Sequence, residues 1–262
     1  MDQGRDRGRP DLGRPRLSVV IPVYNEGESI APVLERLFAA VRTEPVEVLV
    51  VYDFEEDSTV PVVRRLQADH PELRLYRNIR GRGVLNALRA GMDTARAELI
   101  LVMMGDGSDD PRDVDPMVGL AEEGCGVVAA SRYMRGGRQL GGPLLKRTLS
   151  RLAGVSLYAL RELPIHDPTN NFKLYRRQLL DLVTVESTGG FELALELTVK
   201  AHRLGMRVAE VPTTWRDRTS GESRFDLRRW LPRYLRWYLV ALLRRPVTRQ
   251  AADRRGDDRI AA

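Results

Sequence analysis

The chain predicts an α/β fold: a mixed, mainly parallel sheet with helices on both faces. Three observations carry this. From residue 17 to residue 104, short apolar runs rich in β-branched residues alternate with stretches of helical spacing. Each run is bounded by turn residues, as buried strands are. The last of these runs, Leu99–Met104, stops at Gly105 and is followed at once by Asp106, Asp109 and Asp110. Ligand sites in open α/β sheets lie outside the carboxyl ends of the strands. Carboxylates placed there can hold a hard divalent cation, which in turn can hold phosphate. The same aspartates can equally cap the next helix.

The elements follow in order. Residues 1–16 repeat Gly, Arg, Asp and Pro with almost no apolar content and read as a disordered tail. Leu17–Val23 reads as a strand. Ile30, Val33, Leu34, Leu37, Phe38 and Val41 keep helical spacing across Ser29–Val41. A strand is expected at Glu47–Tyr52, a helix at Thr59–Ala68, a short strand at Leu73–Tyr76 and a helix at Gly83–Ala95. Beyond the aspartates, Asp113–Glu123 reads as a helix and Gly126–Ala130 as a strand. Gly136, Gly137, Gly141 and Gly142 mark a flexible loop before a helix at Leu144–Leu160. Phe172–Tyr175 is expected as a strand after the turn Asp167-Pro-Thr-Asn-Asn171. A helix at Phe191–Leu204 is closed by Gly205, and a strand at Arg207–Val211 is ended by Pro212. Residues 17–225 thus form one domain, with a first half at 17–111 and a second at 112–225; residues 247–262 read as a second disordered tail.

Between them, residues 226–246 hold an amphipathic helix. Leu231, Tyr234, Leu235, Tyr238 and Leu242 share one face, Arg229, Arg233 and Arg236 another, and Trp230 and Trp237 sit beside the apolar stripe. Such a helix can lie in a bilayer interface with its arginines on lipid phosphates, or pack on its own domain or a second subunit. Its apolar run is shorter than the roughly 20 residues a membrane span needs, and no secretory signal is expected.

With 262 residues, 43% hydrophobic and 30% charged, the chain suits a soluble globular protein with a sizeable core. The net charge is +6, and the basic excess is almost all arginine. Guanidinium groups grip phosphate in a bidentate way, so phosphate-bearing partners fit. Nucleic acid does not: the arginines are spread over tails and helices, with no basic-aromatic motif of known RNA binders. The single cysteine, Cys125, allows no internal disulfide, suits a reducing compartment and reads as a core residue.

Six segments, in order, carry a resemblance. They are Val20-Ile-Pro-Val-Tyr-Asn-Glu26, Val51-Tyr-Asp-Phe-Glu-Glu-Asp57, Gly105-Asp-Gly-Ser-Asp-Asp-Pro111, Asp167-Pro-Thr-Asn-Asn-Phe-Lys173, Glu210-Val-Pro212 and Asp217-Arg-Thr-Ser-Gly-Glu-Ser-Arg224. Together they resemble family 2 glycosyltransferases of the GT-A fold, in the branch of dolichol-phosphate and polyprenyl-phosphate mannosyl- and glucosyltransferases. The resemblance implies a metal-dependent, inverting transfer of a hexose from a GDP-mannose or UDP-glucose type donor to polyprenyl phosphate. It also implies a peripheral enzyme at the cytoplasmic face of the cell membrane, bound through residues 228–246. A homodimer is compatible with it.

The resemblance places roles on residues. Pro22, Tyr24 and Glu26 would line the nucleotide pocket, and Asp53 would contact the base or ribose. Asp106 would bind Mg²⁺ or Mn²⁺ bridging the donor diphosphate, with Ser108 and Asp109 as further metal-site residues. Arg132, Arg147 and Arg218 fall where relatives grip phosphate, and Arg224 where relatives often carry lysine. Two departures stand out: Met104 occupies the first acid position of the usual Asp-x-Asp, and Thr169-Asn-Asn-Phe172 replaces Thr-Ser-Gly-Phe.

Displacing a nucleoside diphosphate from an anomeric carbon builds negative charge that a cation and arginines stabilise. A hydroxyl acceptor would need a carboxylate base, for which Asp167 is the candidate; its other role is to brace the turn before Phe172. A phosphate acceptor needs no base. Glu192 and Glu196 share a helix face, read as a salt-bridged or solvated one beside an acceptor-site alternative. His166 adjoins Asp167, but His70, His166 and His202 fall in no metal-ligand spacing. A soluble or protein acceptor, or a silent nucleotide-sugar binder prompted by Met104, are the competing functions.

Overall fold

A computed structural model of the chain describes residues 14–217, 227–243 and 247, residues 227–229 by their backbone alone. Its centre is a seven-stranded sheet. In chain order the strands are β1 (Leu17–Pro22), β2 (Val46–Tyr52), β3 (Leu73–Arg77), β4 (Leu99–Val102) and β5 (Cys125–Ser131), then β6 (Arg138–Leu140), β7 (Lys173–Arg176), β8 (Arg207–Pro212) and β9 (Thr214–Arg216). The helices are α1 (Ile30–Ala40), α2 (Thr59–Leu66), α3 (Val84–Thr94), α4 (Val114–Glu122), α5 (Leu144–Ala159), α6 (Arg177–Leu182), α7 (Leu193–Arg203) and α8 (Leu227–Leu242).

The main sheet runs β3-β2-β1-β4-β7-β5-β8. All pairings are parallel except those of β7, which is antiparallel to β4 and β5. β1 lies between β2 and β4, so the chain reverses its direction of travel across the sheet beside β1. A crevice opens there, outside the carboxyl ends of the strands.

Alternation along the strands explains why both faces are covered. Val19 and Ile21 of β1 with Val48 and Val50 of β2 face α1, α2 and α4, forming one core. Val20, Leu49, Val51, Ile100 and Val102 point to the other face and pack against α3, α6 and α7. A third cluster joins Leu157 of α5, Leu195 and Val199 of α7, and Trp237 and Ala241 of α8.

α3 reaches the sheet because Gly91 has no side chain. A Cβ there would overlap Val20 Cγ1 and come within 3.0 Å of Val51 Cγ2. Gly91→Ala is therefore expected to lower stability. Overpacking costs about 1–3 kcal/mol, more than the ~1 kcal/mol that alanine returns as helix propensity. Gly119→Ala in α4 meets nothing within 4 Å, and it should raise the midpoint in the same urea titration.

The structure departs from the sequence expectation in four places. Of the segment read as a tail, residues 14–16 lie against the body: Arg14 pairs with Glu98, Arg16 with Glu122, and Arg16 N donates to Pro45 O. Pro212 does not end the series, because β9 follows it. The glycine loop contains β6, and these two three-residue strands pair in parallel, away from the main sheet. α6 adds a helix where the sequence assigned nothing, so it overturns no expectation.

The fourth departure is the face of α8. Trp230, Trp237 and Ala241 are buried, while Leu231, Leu235, Leu239 and Leu243 are exposed. The buried face is rotated by roughly a quarter turn from the expected stripe, because the indoles, not the leucines, fill the gap beside α5 and α7.

Candidate active site

One cavity of about 1390 Å³ opens at the crevice. Its first wall is the end of β1: Pro22, Val23, Tyr24, Asn25 and Glu26. Asn25 adopts a left-handed φ of 54°, a conformation asparagine tolerates. A buried carboxylate that sequence reasoning missed, Asp57, fixes it. Asp57 Oδ2 accepts Asn25 N at 3.0 Å and Oδ1 accepts Thr59 N at 2.8 Å. Glu26 N donates to Thr59 Oγ1 at 3.0 Å. The first loop is thus tied to the start of α2.

Asp53 closes β2 and lines the same cavity. Its Oδ1 accepts Asn78 Nδ2 and its Oδ2 accepts Gly83 N, both at 2.8 Å. The second bond needs the backbone of Gly83 at φ 120°, which a side chain would resist. Tyr24 meets Phe54 edge-on at 5.5 Å, and the Arg82 guanidinium covers the Phe54 ring.

The three aspartates after β4 separate into three roles. Asp106 lines the cavity, and its Oδ1 accepts Ser108 N at 3.1 Å. Asp109 reaches the cavity wall, but its Oδ2 accepts Met104 N at 2.9 Å. Burial, with the nearby Asp106 charge adding to it, pushes the Asp109 carboxyl up to about 7. Asp110 caps the short turn Pro111–Asp113 and pairs with Arg112. Helix capping and loop bracing therefore account for Asp109 and Asp110. Met104 lines the cavity where an acid was expected.

Among the described residues, no group of three or more His, Cys, Asp or Glu side chains could hold a metal ion. The donor set is instead one carboxylate, Asp106, with the Ser108 hydroxyl nearby on the wall. That set suits Mg²⁺ or Mn²⁺ bound with substrate phosphates and waters as its other ligands.

Arg132, at the end of β5, is clamped from behind. Its Nε donates to Asp167 Oδ2 at 2.6 Å, its Nη2 to Asp167 Oδ1 at 2.9 Å and its backbone N to Oδ2 at 3.1 Å. Nη2 also reaches Ser150 and Thr169. Asp167 is fully buried and does not line the cavity. Burial alone would raise its carboxyl, but the Arg132 guanidinium holds it below the usual range. The assignment of Asp167 as a base for a hydroxyl is thereby corrected: both its oxygens face Arg132 and the turn, not a substrate.

Lys173, also missed, lies beneath. Its Nζ donates to the carbonyls of Asp167 and Asn170. Burial pulls its ammonium down to about 7.

The far wall comes from Gln139, Gly142, Pro143, Lys146 and Arg147, with Trp215 and Asp217. Beyond Arg147 the cavity continues between α5 and α8, where its lining turns apolar: Leu149, Leu152, Ala153, Trp230, Leu231 and Leu235.

Of the expected site residues, Pro22, Tyr24, Glu26, Asp53, Asp106, Ser108, Asp109, Arg132 and Arg147 share this cavity. Arg218 and Arg224 lie outside the described residues. His166 is turned away: its Nδ1 lies 2.6 Å from Glu210 Oε1, and its ring stacks on Tyr158. Glu192 and Glu196 lie on neither a solvated face nor the cavity wall. Both are buried and accept backbone N–H groups of residues 186–190. Their spacing on α7 signalled a pair, but not that the preceding loop folds back over them. Cys125 is buried in the core, as expected.

Comparison with known proteins agrees with this arrangement. The profile of glycosyl transferase family 2 matches residues 18–183. The chain is 32% identical to the polyprenol monophosphomannose synthase of Mycolicibacterium smegmatis over 218 residues, 80% of this chain and 81% of that one. It is 26% identical to the dolichol-phosphate mannosyltransferase of Pyrococcus furiosus over 232 residues, 85% of this chain, and it spans 64% of that protein's length. Glucosyl-3-phosphoglycerate synthase from Mycobacterium tuberculosis, crystallised with Mn²⁺, UDP and glucosyl-3-phosphoglycerate, superposes with a TM-score of 0.62 at 22% identity, covering 90% of this chain and 81% of that one. That last likeness is one of fold.

Proposed function

The chain belongs to glycosyl transferase family 2 and has the GT-A fold, so it is a glycosyltransferase; from that premise we propose that it moves a hexose from a nucleotide sugar to polyprenyl phosphate. The observation that carries the acceptor is the shape of the cavity. A polar half beside Asp53, Asp106 and Arg132 runs without interruption into an apolar wing between α5 and α8. A ligand with an anionic head and a long apolar tail fits that division. Similarity to a dolichol-phosphate mannosyltransferase and to a polyprenol monophosphomannose synthase supports the same class.

In this reading the nucleotide lies along Pro22–Glu26 and Asp53, with its diphosphate between Asp106 and Arg132. Asp106 and Ser108 would hold Mg²⁺ or Mn²⁺, which when bound neutralises charge growing on the leaving diphosphate. Arg132, fixed by Asp167, adds a preoriented positive charge that need not reorganise as the reaction proceeds. An acceptor phosphate oxygen attacks the anomeric carbon from the face opposite the departing diphosphate, so the configuration inverts. The phosphate is already anionic near neutral pH, its second pKa being about 6. No proton must be removed, which accords with Asp167 being committed to Arg132. Lys146 and Arg147, at the junction of the two halves, are placed to meet the acceptor phosphate.

Membrane contact belongs to the same proposal. Among the described residues no helix is long and apolar enough to cross a bilayer. Exposed leucines nevertheless stand on both helices that frame the wing: Leu144, Leu145 and Leu152 on α5, and Leu235 and Leu239 on α8 with Leu243 just beyond it. They would let the enzyme rest on the cytoplasmic face while the lipid enters sideways. Removing residues 228–246 would also take away part of the cavity wall, so point changes test docking more cleanly.

The deciding experiment is a transfer assay with labelled GDP-mannose and UDP-glucose, Mg²⁺ or Mn²⁺, and polyprenyl phosphate in liposomes. Label is expected in the organic extract. Label confined to water-soluble product would instead identify a soluble or protein acceptor. Flotation with liposomes should fall when Leu145, Leu239 and Leu243 are changed together to Ser, none of which lines the cavity.

A further inference from the structure

A shared backbone carbonyl links α8 to the turn before β7 at the cavity wall. Phe191 O accepts Tyr234 Oη of α8 at 2.8 Å and Asn171 Nδ2, from the turn before β7, at 3.3 Å. Phe191, Asn171 and Tyr234 all line the cavity.

The loop that delivers Phe191 is held unusually firmly. Glu196 accepts the N–H groups of Glu186 and Ser187 at 2.6 and 2.8 Å. Glu192 accepts those of Thr188, Gly189 and Gly190 at 3.1, 2.8 and 3.0 Å. Charge-assisted bonds of this kind are the strong ones. Glu196 is itself neutralised by the buried Lys200 at 2.7 Å, whose Nζ also reaches Glu186 and lies under the Trp237 ring. Glu186 pairs with Arg236 of α8 at 2.8 Å.

α8 is fitted to that loop as well. A Cβ on Gly189 would collide with the Trp230 ring and the Arg233 guanidinium. Trp230 meets the Phe191 ring edge-on at 4.9 Å. The helix is therefore keyed to residues 186–191 by ion pair, hydrogen bond and ring packing, and Phe191 O carries a connection on to the turn at Asn171.

We propose that Tyr234 and Asn171 are positioning residues for the acceptor: by sharing the Phe191 carbonyl they fix the wall against which the acceptor phosphate and first isoprene units rest. The inference rests on the reading of the apolar wing as the acceptor site.

The test uses Tyr234→Phe, which keeps the ring and removes only the hydroxyl, with Asn171→Ala and the double variant, all in the full chain. For transfer to polyprenyl phosphate, each single variant is expected to raise the acceptor KM about 3–10-fold, the loss of one hydrogen bond. The Kd for the nucleoside diphosphate should change less than the acceptor KM. The double variant should fall short of the product of the singles, because both act through one acceptor atom. Hydrogen exchange, read on residues 167–172, should quicken in Tyr234→Phe without any acceptor present. An unchanged acceptor KM, an equal loss of nucleotide affinity, or fully multiplicative effects would each overturn the proposal. Should the wild type transfer nothing to polyprenyl phosphate, the functional reading fails by itself. The exchange arm then decides the clamp: quickened exchange supports it, and unchanged exchange overturns it.

Discussion

Asp106→Asn is expected to reduce transfer by about 10³-fold while leaving the fold intact, the scale seen when one preorganised charge stabiliser is lost. The size follows from how little else is present. Asp109 is drawn into the wall by Met104 N, and Asp110 caps the following turn. Met104 supplies no charge where a second acid would stand. The whole burden of holding a divalent ion against the donor diphosphate then falls on one carboxylate and the substrate's own phosphates. Asparagine keeps the Oδ1 that accepts Ser108 N, so the loop should keep its shape and the thermal midpoint should stay within about a degree. Titration of Mn²⁺ in the presence of nucleoside diphosphate separates the two effects. Wild type should take up the ion with the nucleotide, and the variant should bind it far more weakly. A variant retaining more than a tenth of wild-type transfer would show that the ion is held elsewhere, and the proposed roles of Asp106 and Ser108 would fall together.

Much of this site was legible in the residues because its donor half is built from strand ends. The continuous apolar runs of β1, β2 and β4, buried almost throughout, and the abrupt change to polar residues at Tyr24, Asp53 and Asp106 mark where strands stop and ligand contacts begin. Pairings of short segments were not legible. β6 and β9 have three residues each, too few to show a period, and they exist because the two segments meet in space. Buried lysines were equally hidden. Lys173 and Lys200 look like surface residues until the carbonyls and carboxylates around them are seen. The same holds for the backbone N–H groups that Glu192 and Glu196 accept, which carry no side-chain signature, although the pairing of Glu196 with Lys200 fits the salt-bridged reading. In α8 the pattern marked one apolar face, of leucines and tyrosines, with the indoles beside it. Periodicity cannot say which of the two is buried; the gap between α5 and α7 does, and it accepts Trp237 and Ala241. Asp167 shows the same limit in chemistry: a carboxylate opening a predicted turn could be base or brace, and its contact with Arg132 favours the brace.

Breaking the Arg132–Asp167 pair should be the most damaging change to stability. Asp167→Ala leaves a guanidinium with only Ser150, Thr169 and the Tyr133 ring around it. An uncompensated buried charge of this kind costs about 3–5 kcal/mol, a large share of a typical domain's stability of about 5–15 kcal/mol. Arg132→Ala should cost a similar amount for the opposite reason, stranding the Asp167 carboxylate between Lys173 and the turn. The pH dependence has a fixed sign. Asp167 titrates below its unfolded value of about 3.9, so its contribution is fully present above that pH and is lost as pH falls through the lower, folded value. In Asp167→Ala the acid limb of the stability profile should flatten. Replacing both partners, Arg132→Met with Asp167→Leu, removes the charges together, and buried pairs so replaced are often neutral in stability. Urea titration should therefore show the double variant more stable than either single one. Transfer should not return with it, because the diphosphate would still lack the cation that Asp167 holds in place. If activity recovers along with stability, Arg132 is only a brace for the turn at 167–171, and the phosphate must be gripped from the Arg147 side alone.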